Sequence, residues 1–360
     1  MNGDNWAMAD LDRYTALALQ TGSLTVSECE TREEARELMR TNLKRTARSV
    51  AGGCAFTLQY IGEAPRLVVL PEYSLTGFPL GAPIEQWRHN AALDPKGEEY
   101  EELSKIAVRH SIYLAGNCYE TDPAFPELFF QTCFLIDPSG DVILRYRRMI
   151  SLNAPTPFDV WDAYLDLYGE DGVFPVADTP LGRIAAIASE EILYPEIARA
   201  HAVRGAEVFV HPTSEAGSNR NTGKELARRS RAVENIAYVV SANSAWLENL
   251  AIPSHSTTGM SKVVDFEGHV LAEAAPGGES MVAHACLDLA ALRARRRMGG
   301  MTNTLVRMPM QAFASTYAER VMRTGRSLLD ADGGVRTPEV GELRAGLAAD
   351  IERLAKDGLL

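Results

Sequence analysis

Three short stretches of this 360-residue chain deliver a reactive side chain at the end of an apolar run. In "IAAIASEEILYPE" the run that starts at Ile184 stops at Ser189, two acids follow, and Tyr194-Pro195-Glu196 opens an amphipathic stretch. In "LVVLPEYSLTG" Glu72 stands just past a proline, and in "GDVILRYRRMI" an apolar run gives way to Tyr146, Arg147 and Arg148. An acid, a cation and a hydroxyl at three strand ends suggest a composite site: a carboxylate can take a proton, a guanidinium can hold an oxyanion and a hydroxyl can attack. Each also has a plainer reading. Glu72 alone would be a surface carboxylate, and Ser189 a small residue closing a strand. Strand alternation sends one of the two arginines inward, where it requires an anionic partner. The serine poses the sharper problem, because a hydroxyl nucleophile needs a well-placed base, usually histidine. No histidine lies within ten residues of Ser189; His201 and His211 are the nearest. His211 closes the run "AEVFVHP" and could face the site, although such a histidine is more often structural.

The elements that would carry these residues alternate along the chain. "YTALALQTG" predicts a strand, Thr31–Ser49 a charged helix with Leu38, Leu43 and Ala47 inward, and "RLVVLPE" a strand buried on both faces. Glu98–Arg109 follows as a helix, "SIYLAGNCYE" as a strand, and "FFQTCFLIDPSGDVILRYRRM" as a hairpin turning at Asp137-Pro138-Ser139-Gly140. After residue 180 the plan repeats: strand "GRIAAIAS", helix Pro195–Arg204, strand "AEVFVHP", helix Glu225–Ile236, strand "AYVVSANS" and hairpin "SKVVDFEGHVLAEAA". Mixed sheets with helices outside make a layered α/β domain. From Gly299 the pattern becomes irregular, then charged and helical; this tail is expected to add little to the core and to pack on a neighbouring subunit.

Composition excludes several classes. The net charge of −12 disfavours a nucleic-acid partner. The basic cluster Arg293, Arg295, Arg296, Arg297 is expected to be a solvated helix face. No run reaches the ~18 apolar residues of a membrane span, and the N-terminus lacks the basic-then-apolar pattern of a secretory signal. The five cysteines, Cys29, Cys54, Cys118, Cys133 and Cys286, are scattered without CxxC spacing, which argues against a disulfide framework or zinc site and for a reducing, cytoplasmic setting. No metal-ligand spacing or glycine-rich phosphate loop appears, so no cofactor is expected.

The motifs together resemble the nitrilase, or carbon–nitrogen hydrolase, superfamily, most of all its aliphatic amidase and carbamoylase branches. "LVVLPEYSLTG" is similar to the family's glutamate motif and "GDVILRYRRMI" takes the place of its lysine motif. "GRIAAIASEEILYPEIARAHAVRGAEVFVHPT" is similar to its cysteine motif, and "RRSRAVENIAYVVSANS" and "GMSKVVDFEGHVLAE" match two further blocks. The resemblance runs from Tyr14 to Leu289. It implies a four-layer αββα sandwich over residues 10–298, pairing of sandwiches across a subunit interface and a Glu–Lys–Cys triad, which leaves residues 299–360 as the C-terminal extension expected to contact other subunits. Carried over, the glutamate is Glu72, the lysine falls on Arg148 and the cysteine on Ser189. Many amidases carry a further glutamate; near its place stands Thr156, with no acid before Asp159. The backbone N–H of Glu190 corresponds to an oxyanion-hole donor, while Glu191, Tyr194 and Glu196 are expected to orient the turn. Trp161, Tyr164 and Trp246, with His211, are candidate pocket residues, each with ordinary packing as the alternative.

The two departures matter chemically. Arginine donates hydrogen bonds well but exchanges no proton at ordinary pH. A thiol of pKa about 8.5 reacts as thiolate, whereas a hydroxyl lies several units higher and depends on a base. Four readings stay open: a hydrolase of a small amide, carbamoyl or nitrile-type substrate working through Glu72, Arg148 and Ser189; an inactive relative binding a small ligand; acyl transfer or hydration with Glu72 as base; and a cysteine replaced by Ser189 to trap substrate, against which Arg148 speaks. A homo-oligomer, dimer or higher, is the expectation; a single-chain mass in light scattering would overturn it.

Overall fold

The computed structural model describes residues 12–79, 81–218 and 222–360. The N-terminal stretch that bears on a secretory signal lies outside them. In the first half the strands are β1 (Arg13–Ala18), β2 (Ser23–Leu24), β3 (Leu67–Val69), β4 (Tyr113–Thr121), β5 (Phe129–Ile136) and β6 (Val142–Arg147). In the second they are β7 (Ala177–Thr179), β8 (Gly182–Ala186), β9 (Val208–Thr213), β10 (Tyr238–Asn243), β11 (Leu247–Glu248), β12 (Lys262–Val264), β13 (Val270–Glu273) and β14 (His284–Asp288). The helices are α1 (Arg32–Ile61), α2 (Ile84–Asn90), α3 (Glu98–His110), α4 (Trp161–Tyr168), α5 (Pro195–Val203), α6 (Gly223–Asn235), α7 (Leu289–Arg297), α8 (Gln311–Glu319) and α9 (Glu342–Lys356).

Two six-stranded sheets form, in the orders β14-β1-β3-β4-β5-β6 and β13-β12-β10-β9-β8-β7, with β2 and β11 in a small ribbon. Each sheet has a parallel centre, β1-β3-β4 in one and β8-β9-β10 in the other, flanked by antiparallel pairs. Alternation divides the side chains between layers. Tyr14, Ala16, Ala18, Leu67 and Val69 point into the core between the sheets, where they join Ile184, Ala186, Val208 and Val210. Leu17, Val68 and Leu70 point the other way, beneath α1 and α3, with Met39, Leu43, Leu103 and Ile106. Ile197 and Ala198 of α5 and Ala227 and Ala232 of α6 cover the second sheet. The result is the expected αββα sandwich.

Helix α1 runs twelve residues past the expected end at Ser49. The pair Gly52-Gly53 reads as a breaker, yet a Cβ on Gly53 would lie 2.7 Å from Leu17 Cδ2. The glycine lets the helix pass close over β1, and burial of Val50, Cys54 and Thr57 carries it on to Gly62, which closes it at φ +81°.

One expectation needs correction. The basic cluster on α7 is not simply solvated: Arg293 Nε donates to Glu207 at 2.7 Å, and Arg296 Nε to the Ile236 carbonyl at 2.8 Å, because helix-end carbonyls beneath α7 need donors. The C-terminal extension also contributes to the chain's own interior. Leu328 is fully buried in a third apolar cluster with Phe125, Leu128, Phe130, Val160, Tyr164 and Val173.

Candidate active site

Beyond the end of β8, Ile187 and Ala188 lead to Ser189, which adopts φ +49° and opens one 3-10 turn, Ser189–Leu193, ahead of α5. The left-handed region costs a non-glycine residue of order 1–3 kcal/mol and persists where surroundings over-determine it. They do so here. The His211 ring Nε2 lies 2.8 Å from the Ser189 carbonyl, and Glu191 accepts from Ala188 N at 3.3 Å, Met149 N at 2.7 Å, Ile150 N at 3.0 Å and the Tyr146 hydroxyl at 2.8 Å. Burial raises the Glu191 carboxyl to about 7, against the pull of Arg148, Tyr146 and the two loop N–H groups. Glu191 therefore clamps the turn, as its sequence position suggested.

Glu72 follows β3 by way of Leu70 and Pro71, and the next residue, Tyr73, is also left-handed at φ +58°. The buried carboxylate accepts from Gln131 Nε2 at 2.6 Å and from Ser214 N at 2.9 Å. Arg148, just past β6, donates to Gln131 Oε1 at 2.7 Å and to the Ile150 carbonyl at 2.6 Å. Its Nη1 lies 3.5 Å from Glu72 Oε1, and its Nη2 pairs with the Glu190 side chain. Strand ends from both sheets thus meet. The Ser214 hydroxyl, just past Thr213, is buried without a hydrogen-bond partner among the described residues.

One member of the cluster escaped the sequence reading. Lys224, in the first turn of α6, places Nζ 3.1 Å from Ser189 Oγ and 3.3 Å from Thr213 Oγ1. Its local sequence "NRNTGKE" looks like a polar loop. The available signal was topological: a helix that follows β9 begins at the carboxyl end of that strand, beside the same end of the parallel neighbour β8.

The other candidates divide. His211 touches Ser189 only through its carbonyl. A carbonyl can only accept, so Nε2 carries the ring proton; Nδ1 then accepts from the Ser241 hydroxyl at 2.8 Å, which in turn receives Arg228 Nε at 2.9 Å. Burial, reinforced by Arg228, holds this histidine well below its usual range, and it cannot serve as base for the Ser189 hydroxyl. Tyr164 does not line the cluster: it stacks in the third apolar cluster, its hydroxyl 3.2 Å from the Gly172 carbonyl. Trp161 packs edge-on against Phe158. Trp246 lies under the Arg45 guanidinium at 4.6 Å and against Gly22, where a Cβ would meet its ring at 1.8 Å. These aromatic rings sit on extended loops in sequence, but packing claims them. Asp159 is fully buried in a cap with Thr156 and accepts from Ser327 at 2.8 Å, which makes it an anchor for the extension. Glu196 accepts from the Tyr317 hydroxyl at 3.0 Å. Among the described residues no group of His, Cys, Asp and Glu could hold a metal ion, and no helix is long and apolar enough to cross a membrane.

Comparison with known proteins agrees with this architecture. The carbon–nitrogen hydrolase family model matches residues 39–297. Omega-amidase NIT2 of Homo sapiens is 29% identical over 244 residues, covering 67% of this chain and 83% of that protein. A formamidase of Helicobacter acinonychis is 27% identical over 208 residues, 58% of this chain and 57% of its own length. Among solved structures, Nit3 of Saccharomyces cerevisiae, a member of the nitrilase superfamily, matches with a TM-score of 0.60 at 22% identity, over 82% of this chain and 98% of that one. An amidase from Nesterenkonia sp. matches at 0.59 with 17% identity, over 87% and 100%.

Proposed function

Because this chain belongs to the carbon–nitrogen hydrolase family, enzymes of non-peptide C–N bonds, we propose that it hydrolyses a small amide through an ester on Ser189. The observation that supports this most is the approach of Glu72, Arg148 and Ser189 from separate strand ends of both sheets: Glu72 faces Arg148 directly, and Thr213 links Glu72 to Ser189, its carbonyl accepting from Glu72 N at 3.3 Å and its hydroxyl lying 3.4 Å from Ser189 Oγ. The serine hydroxyl on a left-handed turn beside a lysine amine also favours retained chemistry. Hydroxyl attack on the amide carbonyl gives a tetrahedral oxyanion; expulsion of the amine leaves an acyl ester, and water returns the serine. Arg148 supplies the charge for the oxyanion side, since Nη2 carries an N–H beyond the one it directs at Glu190, while Nη1 faces Gln131 and Glu72. Glu72 anchors that guanidinium directly and through Gln131.

A second reading, ligand binding without turnover, draws on Glu190. Its carboxylate already occupies Arg148 where a substrate oxygen would dock. Ammonia release from a panel of aliphatic and aromatic amides and N-carbamoyl compounds separates the two. The hydrolase reading expects turnover by the protein as it stands, loss in Ser189→Ala and a strong decrease in Glu72→Gln. Silence with turnover in Ser189→Cys would mean a pocket whose serine does not work. Silence from every form would support the binding reading.

A further inference from the structure

We propose that Lys224 is the proton acceptor for Ser189, so that the nucleophile is driven by a serine–lysine pair drawn from two successive strand–helix units. The inference rests on the hydrolase reading above and adds the base that reading lacks. Three other groups of the cluster fit the role less well. His211 has both ring nitrogens committed, to the Ser189 carbonyl and to Ser241. Both Glu72 oxygens are engaged, by Gln131 and Ser214 N, and among the described residues no hydrogen bond joins Glu72 to Ser189. Arg148 stays charged at any working pH. Lys224 Nζ, at 3.1 Å from Oγ, is within general-base reach, and Thr213 Oγ1 at 3.3 Å steadies it.

The surroundings favour the neutral amine. Burial lowers the Lys224 pKa from its ordinary value; Glu72 and Glu190 oppose the shift and Arg148 reinforces it. The adjoining His211 is neutral. Lys224 also sits in the first turn of a thirteen-residue helix, whose amino end disfavours a cation. In the reaction, the Nζ lone pair takes the Oγ proton as oxygen bonds to the amide carbon. The ammonium then protonates the leaving nitrogen as the C–N bond breaks. In the second half Nζ takes a proton from water as it attacks the ester, and returns it to Oγ as the C–O bond breaks. The sum is amide plus water to acid plus amine.

A fluorophosphonate probe tests the pair without knowledge of the substrate: Oγ displaces fluoride from phosphorus and loses its proton to the base. The full-length protein is expected to be labelled at Ser189, mapped by mass spectrometry, with a rate that rises to a plateau at a pH below the ordinary lysine value of about 10.4. Lys224→Arg and Lys224→Ala are expected to label on the order of 10²–10⁴-fold more slowly, and added ethylamine to restore part of the rate to Lys224→Ala. An unlabelled Ser189 in the unaltered protein, or labelling of Lys224→Ala at the original rate, overturns the proposal. So does failure of ethylamine to speed Lys224→Ala. Ser189 labelling that depends on Lys224, without ammonia release from any amide, would retain the pair and overturn the hydrolase reading. Amide turnover that persists in Lys224→Arg would do the reverse.

Discussion

Arg147 and Arg148 leave the same strand end on opposite sides. Both are nearly fully buried, at 8% and 6% exposure. Arg147 enters an aromatic box, its guanidinium 4.9 Å from the Phe130 ring centre, 5.6 Å from Tyr164 and 4.7 Å from Tyr168, with Asp122 as counter-ion at 2.6 Å. Arg148 enters a polar cluster whose partners, Glu72, Gln131 and Glu190, are ionised or hydrogen-bonding groups. In the first region the cation is sealed by rings that nothing can replace without unpacking. In the second it is held by partners that a substrate oxygen could exchange with. Equal charge and equal burial therefore go with a packing role in one place and with the proposed chemical role in the other, and the partners make the difference.

Paired substitutions can break this contrast. Arg148→Met is expected to lower amide turnover per folded molecule by about 10²–10³, the loss of one oxyanion donor, and also to lower the melting temperature, because the buried Glu72 carboxylate loses its cation. Arg147→Met differs in the chemistry. It leaves Asp122, among the described residues, with the Tyr168 hydroxyl and Ala124 N, and should destabilise the fold by about 3 kcal/mol in urea titration, with turnover per folded molecule unchanged. Similar losses of turnover in both folded variants would erase the distinction. The smallest effect concerns Glu191, the clamp between the two regions. Its folded pKa of about 7 lies above the ordinary carboxylate value, so the protonated form favours the folded state. That contribution is fully present below about pH 4.5 and is lost as pH rises through about 7. Urea stability at pH 5 and pH 7.5 should show a decline of about 1–3 kcal/mol that vanishes in Glu191→Gln. An unchanged slope in the variant would assign the titration elsewhere.

Much of the fold was legible before the structure. The unbroken Leu67–Leu70 run announces a strand buried on both faces, and Asp137-Pro138-Ser139-Gly140 announces the β5–β6 turn, because turn chemistry and period are local properties. The continuation of α1 past Gly52-Gly53 was not legible: the glycines serve a helix–sheet approach that only the packed molecule contains. The packing of the aromatic candidates was hidden for a related reason. Trp161, Tyr164 and Trp246 were placed by loop position, but a ring goes where it buries most surface.

The site divides in the same way. Glu72, Arg148 and Ser189 each stand where an apolar run stops, a signal written along the chain, and the family's motif order confines them to strand ends. Lys224 carries no such signal. It lies 35 residues after Ser189 in a polar segment, and reaches the hydroxyl because β8 and β9 are parallel and α6 starts at their common end. His211 likewise looked available in one dimension and is spent in three, on the Ser189 carbonyl and Ser241. Residue type and periodicity determined the layers and the strand ends, since burial and backbone preference act over neighbouring residues. Which base meets the serine, and which of two adjacent arginines meets a carboxylate of the site, was decided only by tertiary structure, because hydrogen bonds act over about 3 Å between groups far apart in sequence.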